Sequence, residues 1–264
     1  MRAYWAILSA RFRLLLQYRA AAAAGFGTQL FWGLIRIMIF QAFYRSTTAP
    51  QPMSCEQVVD YVWLGQATFI ITLVWSLDLE IQTMVRAGTV VYELLRPVDL
   101  YALWFARTLA LRTAPAVLRA LPMLIVAGLF FGLRAPASLA SGAAWLLATL
   151  GAVLLSCAMG TLFTVSLMWT IVGEGLTQLV GGMCFILSGL VIPLPLFPDW
   201  AQSVLNVLPF RGLMDVPARL YSGNLPASHA LALFAHQMAW TLALIALGRW
   251  LLARGTRRLV VQGG

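Results

Sequence analysis

The 264-residue sequence has no lysine, few charges of either sign and very little acid. Charged residues make up 10% of the chain and hydrophobic ones 61%, with a mean hydropathy of +0.84. A soluble domain carries about 25% charged residues. A chain this apolar could not keep its surface hydrated as a monomer, so a soluble enzyme is excluded. The missing lysine excludes more. A Walker A loop needs the lysine of G-x-x-x-x-G-K-[ST] to reach nucleotide phosphates, so the chain carries no P-loop of its own. Histidine is nearly absent as well: His229 and His236 stand seven apart with no nearby carboxylate, and no H-E-x-x-H occurs. That is a poor metal site. Three cysteines, Cys55 in a loop and Cys157 and Cys184 in apolar runs, form neither a disulfide framework nor a zinc pattern, and are read as structural. Ser188-Gly189 does not extend to intramembrane serine hydrolysis, because position 186 is Ile rather than Gly and no histidine offers an obvious base.

Long apolar runs are what the sequence does have. A helix needs about 20 mostly apolar residues to cross the hydrocarbon core. By that rule six spans are expected, near 22–43, 58–77, 104–131, 142–168, 175–192 and 230–252. The runs are continuously apolar, without the alternation of barrel strands, so they are helices. Arg11, Arg13 and Arg19 interrupt the region where a signal peptide would need an uncharged core, so no cleaved leader is expected. All 18 basic residues are arginine, against 9 acids, for a net charge of +9. Eleven of them flank spans on one side: Arg2, Arg11, Arg13, Arg19, Arg86, Arg96, Arg107, Arg249, Arg254, Arg257 and Arg258. Four lie opposite, Arg45, Arg134, Arg211 and Arg219. The surplus marks the cytoplasmic side and puts both termini there. This is membrane-flanking charge rather than a nucleic-acid footprint. Trp5, Trp63, Trp104, Trp200 and Trp250 fall near the expected interfaces and read as belt anchors.

Three segments outside the spans have character within a single transmembrane domain covering 1–264. Residues 1–20 read as an interfacial helix. Trp5, Leu8, Phe12, Leu15 and Leu16 cluster on one side and Arg2, Ser9, Arg13 and Gln17 on another, while Arg11 falls outside the polar arc. Residues 78–100 are too polar to span and too apolar to lie free in water. Gly88 marks a turn there and Pro97 ends helical continuation. Between them Val91, Leu94 and Leu95 are expected on one apolar face, with Glu93 and Arg96 on the other. Residues 193–229 hold Pro193, Pro195 and Pro198, then Asp199 and Trp200, and predict a re-entrant extracytoplasmic hairpin near 197–215. Among charges at membrane depth, Arg36, Arg119 and Glu174 are candidates for a pathway or subunit interface, with structural pairing or a place in a turn as the alternative. Arg112 lies near enough to a span end to snorkel.

The stretch Gly88-Thr-Val-Val-Tyr-Glu-Leu-Leu-Arg-Pro-Val-Asp99 resembles the signature of membrane subunits of type-2 ABC exporters, in the bacterial branch related to viologen and drug exporters. Ser188-Gly-Leu-Val-Ile-Pro-Leu-Pro-Leu-Phe-Pro-Asp-Trp200, Leu208-Pro-Phe210 and Arg257-Arg-Leu-Val-Val-Gln-Gly-Gly264 match the same pattern. The resemblance implies an all-α permease with six spans, a cytoplasmic coupling helix between spans two and three and a re-entrant element between spans five and six. It implies a separate cytoplasmic ABC ATPase that carries ATP and magnesium, no cofactor in this chain, and a second permease, identical or related. It places the protein in the bacterial cytoplasmic membrane among lipids. Arg86, Gly88, Tyr92, Glu93, Leu95, Arg96 and Pro97 become the expected ATPase-coupling residues, although Glu93 and Arg96 could instead pair with each other. The substrate implied is a hydrophobic or cationic drug-like compound. An ion- or proton-coupled secondary transporter and a non-transporting assembly protein are the rival classes. The first of these wants midplane carboxylates and repeated halves, which are not seen.

Overall fold

A computed structural model describes residues 2–169 and 174–256, and among these there are helices and turns but no strand. The chain opens with α1 (Arg2–Leu16), breaks at Gln17-Tyr18, and continues as α2 (Arg19–Ser46). Then come α3 (Cys55–Ala67), α4 (Phe69–Thr72), α5 (Leu79–Arg86), α6 (Val91–Leu94), α7 (Leu100–Phe130), α8 (Leu139–Ser166) and α9 (Glu174–Leu187). The last third holds α10 (Asp199–Val207), α11 (Asp215–Tyr221) and α12 (Ala230–Gly255), linked by single 3₁₀ turns.

Local chemistry sets these boundaries. Ser54 and Gln57 form a reciprocal capping box on α3, and Asp78, Asp99 and Ser138 each accept a backbone N–H at the start of α5, α7 and α8. Pro115 and Pro122 lie inside α7 without ending it, as membrane helices tolerate when neighbours cover the freed carbonyls.

Among the described helices, α2, α7, α8 and α12 with its leading turn are long and apolar enough to cross a membrane. The two other expected spans are interrupted. The run at 58–77 breaks at Thr68, whose hydroxyl donates to the Leu64 carbonyl at 2.8 Å, and helix ends at Thr72. The run at 175–192 stops as helix at Leu187, because Gly189 adopts φ +84° with the Tyr61 hydroxyl packed against its Cα.

Helices pack α1 on α7, α2 on α3 and α7, and α8 on α7, α11 and α12. Glycines permit the closest approaches. Gly33 of α2 faces the fully buried Trp63 ring, where an added Cβ would stand 2.6 Å from it. Gln237 of α12 donates to the carbonyls of Ala148 (2.9 Å) and Gly212 (2.7 Å), joining α12, α8 and the turn before α11 with one buried carboxamide.

The connecting segments gather at two ends. At one, Arg134 of the α7–α8 loop holds Asp60 and Glu56 of α3, and Tyr221 of α11 donates to the Arg134 carbonyl. The hydrogen bond to Asp60 pushes the Arg134 guanidinium above its ordinary pKa. At the other end lie α1, residues 73–99 and the close of α12: Tyr4 accepts from the Asp99 N–H at 2.8 Å, and Arg249 pairs with Asp99 at 3.1 Å.

Candidate functional site

At the α1 end five charged residues and an indole form one cluster. Asp78, which caps α5, accepts both terminal contacts of Arg11 Nη2 (2.9 and 3.0 Å) and the Nε–H of Arg107 (2.9 Å). Glu80 takes Arg11 Nη1 at 2.8 Å and Arg107 Nη2 at 2.6 Å. Glu93 of α6 accepts from the Trp104 indole at 2.8 Å and lies 3.7 Å from Arg107. Asp78, Glu93 and Arg107 are buried. Two cations and three carboxylates thus tie the 78–97 segment to α1 and α7. Buried charges persist only when paired and hydrogen-bonded in this way.

The cluster fixes which way the short α6 faces. Glu93 turns inward, and Val90, fully buried, anchors beside it against Tyr101 and Trp104. Tyr92 (70% exposed) and Leu95 (76%) turn outward, with Leu94, Arg96 and Pro97 also exposed. Leu94 and Leu95 thus lie outward, as a docking face requires, but Glu93 leaves the face it was expected to share with the exposed Arg96. The physical reason is the counter-charge: Arg107 and the Trp104 N–H offer Glu93 more than water does. Arg86 is exposed at the end of α5, and Gly88 holds φ +70°, a turn that a side chain would strain. The result is a protruding apolar tip on a charge-clamped base.

Residues 30–263, nearly the whole chain, match the family described as ABC-2 family transporter protein. No curated protein matches the sequence. The chain belongs to the ABC-2 transporter family. It is therefore a multi-pass membrane protein and the permease subunit of an ABC transporter, in a family whose members work with an ABC ATPase and typically with a second permease.

Other expected site residues lie elsewhere in the permease. Arg36 reaches the Val191 carbonyl at 2.8 Å beside a side cleft. Arg119 leans on Gly25 of α2 and donates to the Ala21 carbonyl at 3.3 Å, so it serves the α2–α7 contact. Arg112 does not snorkel. It is fully buried and donates to the Val74 and Ser76 carbonyls at 3.2 and 3.0 Å, holding the unwound segment after α4. The Glu174 side chain and the C-terminal 257–264 motif lie outside the described residues. Pro193 precedes a 3₁₀ turn (Leu194–Leu196) that contains Pro195, Pro198 precedes α10, and Asp199 opens that helix, which leaves Trp200 79% exposed. Residues 209–216 then enter the bundle, with Leu213, Met214 and Asp215 buried.

Sequence reading missed Arg11, Asp78, Glu80, Trp104 and Arg107 as one unit. A signal was available: Arg11 breaks the polar arc of α1 because it sits on the inward stripe with Tyr4 and Ile7. Three of the nine acids also fall between positions 78 and 93.

Proposed function

We propose that this permease is half of the membrane part of an ATP-driven exporter of the viologen- and drug-exporter-like branch, in the bacterial cytoplasmic membrane. Six crossings place both termini, α1 and the 78–97 segment in the cytoplasm; α3 with α4, and α9, complete crossings that their helical parts alone are too short to make. Residues 193–229 form the extracytoplasmic re-entrant element. A separate ABC ATPase holds ATP and magnesium, and a second permease, identical or related, completes the pore.

The observation that carries this reading is the exposed Tyr92–Leu95 tip on its buried charged base. An apolar knob projecting from a rigid mount is what a groove on a partner protein can grip. Closure of two ATPase subunits pushes the tip. The Asp78, Glu93 and Arg107 contacts then pass that displacement to α1 and α7 rather than letting the loop flex. The permeases separate or rock, and an apolar or amphiphilic substrate taken from the cytoplasm or inner leaflet leaves on the outer side.

The test is reconstitution of the permease with its ATPase in proteoliposomes. Tyr92→Ala combined with Leu95→Asp should cut co-purification of the ATPase and ATP-dependent transport at least tenfold, with membrane insertion unchanged. Wild-type coupling in that variant would remove the assignment.

A further inference from the structure

A cleft of about 860 Å³ opens on the side of the permease between α2, α3–α4 and the Gly189–Leu196 segment. Its walls are apolar, with Trp32, Ile39, Phe69 and Phe185 among them. Thr28 at its edge bonds back to the Ala24 carbonyl, and the side chains of Gln29, Arg36 and Gln66 also line it. Among the described residues no acid lines the cleft and no carboxylate is within ion-pair distance of Arg36. Its guanidinium is held by neutral groups only. Nη2 donates to the Val191 carbonyl at 2.8 Å, and Nη1 donates at 3.2 Å to the Gln66 carboxamide oxygen in the amide orientation that satisfies both groups. In that orientation the Gln66 nitrogen donates to the Gln29 carbonyl at 3.3 Å. Two of the five guanidinium N–H groups are thereby accounted for. The Gln29 side-chain oxygen, in a residue only 5% exposed, has no partner at all.

Arg36 lies seven residues before the expected end of the first span at 43, about 10 Å deep at 1.5 Å per residue. A charge at that depth is expensive unless it faces a counter-charge or water. A cleft with a positive group, an orphaned acceptor and aromatic walls satisfies all three of its features with one ligand class. We propose that it binds an amphiphile whose single anionic head, a phosphate or carboxylate, pairs with Arg36, whose tail lies along the aromatic walls, and whose hydroxyl or amide donates to Gln29. A cationic compound would meet Arg36 with no carboxylate to offset it, so the cationic substrate implied by the resemblance does not suit this cleft. The proposal rests on reading α2 as a membrane span, and its test uses binding alone, so it stands or fails separately from ATPase coupling.

The full chain is placed in phosphatidylcholine nanodiscs, and quenching of its tryptophans is followed with 11-bromoundecanoate and with a bromoalkyl trimethylammonium of equal chain length. Saturable quenching by the anion is expected, lost on Trp32→Phe for the component arising in the cleft, and at least tenfold weaker in affinity for the cation. Arg36→Gln should weaken anion affinity about tenfold or more, the worth of one charge-assisted pair. Arg36→Lys, which keeps the charge and guards against a folding defect, should recover most of it. In parallel, native mass spectrometry after reconstitution in mixed phosphatidylglycerol and phosphatidylcholine identifies the source. Retained phosphatidylglycerol, lost in Arg36→Gln, marks a bilayer lipid as the occupant; anion quenching with no lipid retained marks a free amphiphile. Both support the site. Equal affinity for anion and cation, unchanged anion affinity in Arg36→Gln, or a variant that alters only permease–permease association would overturn it.

Discussion

Asp78 shows how much one carboxylate can organise. Its carboxylate caps α5 by accepting the Glu80 backbone N–H, and it receives two arginines from α1 and α7. Arg107 does the complementary task, reaching Asp78, Glu80 and Glu93 together. Removing one partner from such a buried set strands the others, at about 3–5 kcal/mol. Arg107→Ala should therefore lower thermal stability and expose the 86–97 stretch to limited proteolysis, whereas Glu93→Gln, which keeps an acceptor for Trp104, should cost less. Melting curves and the order of protease cuts in detergent check this; equal cutting of Arg107→Ala and wild type would show that the cluster does not hold the segment. None of the partners was legible from spacing alone. Positions 11, 78, 93 and 107 belong to four elements, and only packing decides that they meet.

At the scale of elements, the helix contacts depend on small residues meeting large ones. Gly33 lies under Trp63 and Gly248 under Tyr101. Overpacking a dense contact costs about 1–3 kcal/mol. Gly33→Val should thus push α2 off α3, lower the melting temperature and shift the emission of Trp63, whose indole donates to the Phe131 carbonyl at 2.9 Å. Unchanged melting and emission would mean that the contact relaxes freely. The apolar runs marked the long helices to within a few residues, since continuous hydropathy is itself the cause of a span. The interrupted runs were not legible in this way. Thr68 and Gly189 are tolerated in a helix by composition, and what ends the helices is a hydroxyl bonding back to Leu64 and a tyrosine packed on Gly189. Likewise α6 was recognisable as a short helix with an apolar face for docking, but the inward turn of Glu93 was not, because groups on α7 draw it in.

For the whole molecule, the surplus arginines act in two ways. Arg11, Arg107 and Arg249 are consumed in ion pairs at the α1 end. Arg13, Arg19 and Arg96 remain exposed there and can meet anionic headgroups. The proposed orientation predicts that, in a cysteine-free background, Ser203→Cys is labelled by an impermeant maleimide on intact cells and Gln17→Cys only after permeabilisation; the reverse pattern would invert the topology. The sequence by itself determined that this is a helical membrane protein, because hydropathy is a property of composition that no fold can alter. It also pointed to the 78–100 segment and to the family. Only the tertiary structure decided that Glu93 of that stretch turns inward, where the buried arginines find their partners, and that a cleft opens beside α2 with the Arg36 guanidinium held by a carbonyl and a carboxamide. Those depend on charges and side chains distant in sequence being brought within 3 Å, and pairing at that range is set by packing rather than by order along the chain.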